Sequence, residues 1–346
     1  MYEANAGLRA LLDLAPTLTS KDAATIARDF YNVVGAAHGL QSERDQNFFL
    51  TTQDASTFVL KIANSAESRS VLQAQNAAMS HLASRLSFCP RLIPTRSGEE
   101  IATIRTAATQ HYVRLVTYIS GMPLAREEQT PQLLFDLGRR LGELTRALSD
   151  FGHPAFHREF HWDLRKGPNV ITEYAAFVRD KELHKQLDHC FVFFDSYLST
   201  DKMGRLPCAI IHGDPNDYNV LVQGAKVVGL IDFGDMIYSY RVGELAIALA
   251  YVVLDKPDPL ASAKVVVDGY LSETKLSQDE IEMVWPLLLM RLCMSVCLAA
   301  YQSNQNPDND YLDISQRPIR ESLPRLLTID PLVAAEEFQR LRYDQS

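Results

Sequence analysis

The chain has 346 residues, enough for a sizeable core and two lobes. Its 47% hydrophobic and 22% charged residues are those of an ordinary soluble globular protein. The net charge of −9, from 34 basic and 43 acidic side chains, argues against a nucleic-acid or anionic-membrane partner, whose phosphates it would repel.

In chain order, the N-terminus MYEANAGLRALLDLAP lacks the basic region and long apolar run of a signal peptide. Residues 20–31 read as a short helix with Ser20 at its cap and Ile26, Ala27 and Phe30 on one side. Three β-like runs follow: VVGAAHGL (33–40), NFFLTT (47–52) and TFVLKIA (57–63), read as an antiparallel meander. From Ser65 the period becomes helical, with Val71, Ala74, Ala78, Met79, Leu82 and Leu86 on one face. IATIRTA (101–107) and YVRLVTYI (112–119) read as two more strands. After Ser120-Gly121-Met122-Pro123, helices dominate. Thr130-Pro131 opens one as N-cap and first residue, and others are expected at 169–180, 182–199, 241–254, 260–272, 278–303 and 332–342. The only strand pair expected in this half is AIIHG (209–213) with VLVQ…KVVGLID (220–232). The organisation is α+β: a sheet-rich lobe over 1–120 with one long helix, and a larger, mainly helical lobe over 121–346 with one embedded hairpin.

The five cysteines, at 89, 190, 208, 293 and 297, show no framework spacing and read as reduced thiols, hence a cytoplasmic setting. Cys293 and Cys297 share a helix face and read as core thiols rather than a metal site. The apolar run LLLMRLCMSVCLAA (287–300) is too short to cross a bilayer and contains Arg291, so it reads as a buried helix.

The chemistry sits on HGDPNDYN (212–219) and DFGD (232–235). Each alone is a turn, in which Asp and Asn bond their own backbone. Together, with a strand between them, they carry what phosphoryl transfer needs: a carboxylate beside the attacking hydroxyl and hard oxygen ligands for Mg²⁺. Asp214 follows a strand and is assigned as base. Asn219 offers a neutral amide oxygen, and Asp232 ends the next strand, so both are assigned as metal ligands. Lys61, a single Lys within FVLKIA, is either an edge residue or a phosphate-binding Lys, and its place before the internal helix favours the latter.

On these residues the chain resembles the aminoglycoside phosphotransferase and choline kinase-like family, which has a two-lobed protein-kinase-like fold. The wording SERDQNF, HGDxNDxN and DFGDM followed by ELAIALAY is most similar to the hydroxylysine kinase branch. The resemblance implies ATP or GTP bound between the lobes, Mg²⁺, and transfer of the γ-phosphate to a small-molecule hydroxyl. It places Asp214 on the family's base, Asn219 and Asp232 on its metal ligands, Lys61 on its phosphate-binding Lys, and the stretch Thr117 to Gly121, Ile119 included, on the hinge that meets the nucleobase.

Two departures stand out. The Gly-rich loop of protein kinases is replaced by the turn 41–46, where Ser42 and Arg44 either hold phosphate or form a solvated hairpin tip. The helix Glu that pairs with the family's Lys is replaced by Gln75, with Glu67 as the alternative anchor. This neutral Gln is the one feature supporting a non-catalytic nucleotide-binding relative. The segment MIYSYRV (236–242) leaves no room for a peptide platform, so the acceptor is a small hydroxylated amine or amino acid: hydroxylysine first, then homoserine, choline or ethanolamine, and an aminoglycoside. Trp162 is a candidate wall against an alkyl or ammonium group, and Asp163, Asp217 and Asp235 are candidate amine partners. Arg291 meets either a substrate carboxylate or an internal partner such as Glu244. Glu244 itself reads as structural. Oligomeric state leaves no mark in the sequence.

Overall fold

The computed structural model describes residues 15–42, 44–106, 109–197, 200–305 and 316–344. The chain separates into two compact units between Ser120 and Gly121.

Among the described residues, the first unit is an antiparallel sheet with two helices. Strands β1 (Gly35–Leu40), β2 (Gln46–Thr52), β3 (Thr57–Ile62), β4 (Leu92–Ile93), β5 (Ala102–Arg105) and β6 (Gln110–Thr117) run in the order β1-β2-β3-β6-β4, with β5 also on β6. Helix α1 (Ser20–Tyr31) is capped one residue earlier than expected. Thr19 is the N-cap, accepting from the Asp22 N–H while Asp22 reaches back in a capping box. Alternation decides which face α1 covers: Phe48, Leu50, Leu60, Ile62, Val113 and Leu115 join Ile26, Ala27 and Tyr31 in one core. The Tyr31 hydroxyl donates to the Val113 carbonyl at 2.9 Å. The opposite face carries Asn47, Lys61 and Arg114, which are direct register partners across β2, β3 and β6. Arg114 reaches from this face to Asn76 of helix α2 (Arg69–Ala83), at 3.1 Å.

The second unit is mainly helical: α3 (Pro131–Leu148), α4 (Gly167–Tyr174), α5 (Lys181–Tyr197), α6 (Thr200–Arg205), α7 (Gly243–Val252), α8 (Pro259–Leu271), α9 (Gln278–Gln305), α10 (Gln316–Leu326) and α11 (Pro331–Asp344). Helix α9 is its axis and packs against α4, α5, α7, α10 and α11. At 28 residues it is long and apolar enough to cross a membrane, unlike the shorter run read from sequence. Yet 94% of its most apolar window is buried inside the fold. All five cysteines are free, with Cys293 and Cys297 buried on this helix. Helices α3 and α8 approach at backbone distance, because glycines face each other across them. A Cβ on Gly138 would lie 1.9 Å from the Val266 carbonyl oxygen, and one on Gly269 2.0 Å from that of Phe135.

The strand pairing in this unit departs from the expected one. The strand β8 (Cys208–Ile211) does not join the following hairpin. It pairs with β11 (Ile237–Tyr240), the segment read as a bare connector. Strands β9 (Val220–Gln223) and β10 (Lys226–Leu230) form the hairpin, and β7 (Met122–Pro123) lies on β9. The cause lies at Gly213, whose φ of +83° turns the chain away after β8. The backbone N–H groups of Asn219 and Val220 then close a turn on the Asn216 carbonyl. Helix α10 had no forecast, because Pro318 and Pro324 broke its pattern.

One contact holds this connection in place. Glu244, fully buried in the first turn of α7, accepts the His212 N–H at 2.6 Å. Burial pushes its carboxyl from an ordinary 4.5 up to about 8, against the pull of the His212 backbone N–H. The anticipated partnership with Arg291 does not form.

Two outcomes follow from this packing. Gly138→Ala should destabilise by about 1–3 kcal/mol in chemical denaturation, through overpacking at a helix contact that cannot give way; an unchanged midpoint would refute the close approach. The raised carboxyl of Glu244 favours the folded state below about pH 4.5, and that contribution fades as pH rises through about 8. Glu244→Gln keeps an oxygen for His212 but cannot ionise. Its melting temperature relative to wild type should therefore climb between these pH values, whereas a constant difference would contradict the buried acid.

Candidate active site

The second unit gathers Asp214, Asn216, Asn219 and Arg291 into one hydrogen-bonded cluster. His212 sets its geometry. Its Nε2–H donates to the Ile231 carbonyl at 3.1 Å, so its Nδ1 accepts the Asp214 N–H at 3.3 Å. The ring thus ties the end of β8 to the end of β10 and fixes its own tautomer. Asn216 is the organiser of the loop. Its Oδ1 accepts the N–H groups of Tyr218 and Asn219 at 2.8 and 3.0 Å, and its Nδ2 donates to Asp214 Oδ2 at 2.8 Å. Asn219 Nδ2 donates to the same oxygen at 2.9 Å and to the Asp214 carbonyl at 3.0 Å. The other carboxylate oxygen, Oδ1, accepts from Arg291 Nη2 at 2.7 Å.

Arg291 comes from the middle of α9, 77 residues downstream of the loop, and its side chain is only 3% exposed. Its guanidinium carbon lies 4.1 Å from the centre of the Trp162 ring, a cation–π stack. Its Nε points to the Tyr251 hydroxyl at 3.4 Å. Burial raises the Asp214 carboxyl, Arg291 opposes this, Asp235 adds to it, and Asn216 and Asp232 respectively oppose and add. The site therefore holds a carboxylate that a small change in surroundings can tip between its charged and neutral forms, a property useful in a general base.

The DFG turn lies beyond β10. The Ile231 N–H donates to the Asn219 carbonyl at 2.9 Å, bringing the residue before Asp232 against Asn219. Asp232 has the left-handed backbone (φ 64°) and caps a short 3₁₀ turn over 233–235. Arg158 Nη2 donates to the carbonyls of Gly234 and Met236 at 2.8 and 3.2 Å. Because the Asn219 Nδ2 is engaged by Asp214, its Oδ1 turns away from that carboxylate. An amide oxygen and a nearby carboxylate are hard donors that suit Mg²⁺. Among the described residues no group of three or more His, Cys, Asp or Glu is placed to hold a metal. A cation at Asn219 and Asp232 would complete its shell with oxygens from outside the protein, as Mg²⁺ with phosphates does.

The remaining candidates separate. Asp235 is buried and close enough to raise the Asp214 carboxyl. Asp217 lines a cavity of about 300 Å³ together with Glu127, Tyr218, Tyr251 and Asp255, and burial pushes its carboxyl up to about 6. Asp163 is not placed for an amine ligand. It is buried, paired with Arg165 at 2.8 Å, accepts the Ser239 hydroxyl at 2.6 Å, and caps the turn at 164–166. Trp162 is half-buried, and its ring carries the guanidinium of Arg291. The bonds of Asn216 assign it to the framework of the loop.

In the first unit, Lys61 is the next-to-last residue of β3, on the Arg114 face. Gln75 is buried on α2 beside Asn76, and the Glu67 Oε1 accepts the adjacent Ser68 N–H at 2.9 Å. Ser42 is exposed and Arg44 half-buried in the β1–β2 connection, where Asn64 bonds the Arg44 carbonyl (3.1 Å) and the Asp45 carboxylate (2.9 Å). Thr117 closes β6 by exchanging bonds with the Arg91 backbone, its Oγ1 accepting at 2.9 Å, and Ile119 is half-buried just beyond. His212, Asn216, Tyr251 and Glu244 had no assigned site role in the sequence. The first two were legible in principle as polar residues inside the motif.

Known proteins bear on this arrangement. The phosphotransferase enzyme family model matches residues 37–276. A hydroxylysine kinase of Xenopus laevis is 31% identical, covering 90% of this chain and 91% of its own length. A homoserine kinase of Zymomonas mobilis is 26% identical over 72% of this chain and 74% of its own. Among solved structures, an amicoumacin kinase in complex with AMP-PNP and Ca²⁺ superposes with a TM-score of 0.69 at 14% identity, covering 96% of this chain and 99% of that one. That likeness establishes the kinase-like fold. With its family model spanning most of the chain, the protein belongs to the phosphotransferase enzyme family and is a small-molecule kinase.

Proposed function

We propose that this kinase phosphorylates the hydroxyl of a small amino acid or amino alcohol, 5-hydroxylysine-like first, using ATP or GTP with Mg²⁺. The observation that carries the reading is the Asp214 carboxylate, held by Arg291, Asn216 and Asn219. Asp214 accepts the proton of the attacking hydroxyl and orients its lone pair. Asn219 and Asp232 hold the metal, which when bound neutralises charge on the donor phosphates. Lys61 contributes a further cation toward those phosphates, with Ser42 and Arg44 as additional phosphate contacts and Thr117 and Ile119 at the nucleobase. Fixed amides and a locked guanidinium supply the positioning on which phosphoryl transfer depends.

The acceptor class draws support from two sides. The hydroxylysine kinase relatives span nine-tenths of this chain. The cavity beside Asp217 is walled by the carboxylates of Glu127 and Asp255 and by the ammonium of Lys256, so an amine entering it would meet more acidic than basic groups. The homoserine kinase relatives support a second acceptor, also an amino acid but with a primary rather than a secondary hydroxyl.

Release of nucleoside diphosphate, measured in a coupled assay, tests the reading. ATP and GTP are crossed with hydroxylysine, homoserine, ethanolamine, choline and one aminoglycoside, and hydroxylysine should give the highest kcat/KM. Asp214→Asn should lower kcat about 10²-fold or more, and wild-type turnover by this variant would remove Asp214 as base. Thermal stabilisation by nucleotide without turnover of any acceptor would instead mark a non-catalytic binder.

A further inference from the structure

The Arg291 side chain makes an incomplete set of bonds for a buried guanidinium. Five N–H donors project from it in a rigid fork. Nη2 meets Asp214 and Nε meets Tyr251, yet among the described residues no group accepts from Nη1, although that atom is fully buried. Leaving buried charged donors unmatched is costly. A purely structural ion pair on a core helix would be expected to saturate its fork.

Two further features bear on what Nη1 awaits. The guanidinium cannot swing to find another partner, because Trp162 lies against it at 4.1 Å and Asp214 holds its other terminus at 2.7 Å. Nη1 belongs to the same guanidinium as Nη2, so a group that accepts from it would lie near the carboxylate assigned to meet the acceptor hydroxyl. A single carboxylate oxygen matches such a charged donor.

We infer that Arg291 is a specificity-determining residue that receives a carboxylate of the acceptor on Nη1, so that the acceptor is an amino acid and not an amino alcohol. This rests on the proposed phosphotransfer to a small hydroxylated amine, and narrows it. The competing role, a contact to the transferred phosphoryl group, makes a different prediction: it would act on every acceptor alike, whatever that acceptor carries away from its hydroxyl.

The test is a two-by-two comparison of 5-hydroxylysine and its α-carboxamide on wild type and Arg291→Gln, read as kcat/KM and, independently of turnover, as calorimetric binding. Wild type should prefer the acid by roughly 10²-fold, the scale for leaving a buried charged donor unmatched. In Arg291→Gln that preference should collapse to a few-fold, even though both acceptors react more slowly once Asp214 loses its partner. Equal losses on acid and amide would assign Arg291 to the base or the phosphoryl group and overturn the inference. If the variant does not fold, the wild-type contrast decides alone, and equal use of acid and amide overturns it. Turnover of ethanolamine or choline at least as fast as of hydroxylysine would overturn it too, while leaving the kinase reading intact. Selective binding of the acid without any turnover would uphold the Arg291 contact and remove the proposed reaction.

Discussion

Much of the second unit depends on one requirement: a carboxylate must stay ionisable inside a helical interior. Asp214 is mostly withdrawn from water, with Asp232 and Asp235 near enough to disfavour its charge. Unopposed, burial and like charges would neutralise it. Arg291 on one oxygen and two amide donors on the other provide the opposition. Breaking such a buried pair by deleting one partner typically costs about 3–5 kcal/mol, because the remaining charge is stranded. The pair therefore constrains the fold as strongly as it serves the chemistry, and it joins the motif loop to the axis helix α9.

The loop is shaped to deliver that carboxylate. Gly213 takes the left-handed turn, and a Cβ there would lie 2.5 Å from the Asp235 carbonyl oxygen. Glu244 holds the backbone just before the turn, His212 spans from β8 to β10, and Asn216 closes the loop. These contacts come from four different places in the sequence, and none needs a ligand to form. The first unit follows a simpler rule. Strand alternation sends Phe48, Leu60 and Leu115 to the α1 core, and so sends Lys61 and Arg114 to the opposite face. A charged residue in an apolar strand is placed there between the polar Asn47 and Arg114, its register partners on the two neighbouring strands.

Legibility in the sequence tracked the range of the interactions. The association of Asp214 with Asn219 was readable because their spacing is local and chemically specific. The α1 core and the long helices were readable from period alone. Arg291 announced itself as a charge in an apolar run, but its partner did not: only tertiary structure chooses between Glu244 and an Asp 77 residues away. The β8–β11 pairing was missed because adjacency favours the next strand, and one positive φ at Gly213 overrides that preference. Asp163 illustrates a different failure. A polar residue beside Trp162 in a loop has the same sequence signature whether it caps a turn and pairs with Arg165 or awaits a ligand.

The coupling of Asp214 to Arg291 has a consequence for how selectivity can arise in such a site. A surface arginine recruited to a ligand must first be ordered, and ordering a long side chain opposes binding. Here Trp162, Tyr251 and Asp214 fix the fork as part of folding, so its open edge is oriented before any ligand arrives. The same three contacts mean that a substitution at Arg291 alters the surroundings of the base together with any ligand contact. The proposed base role of Asp214 and the proposed acceptor contact of Arg291 are therefore inseparable by changing the protein at this position alone, and they separate only when the acceptor is changed alongside it.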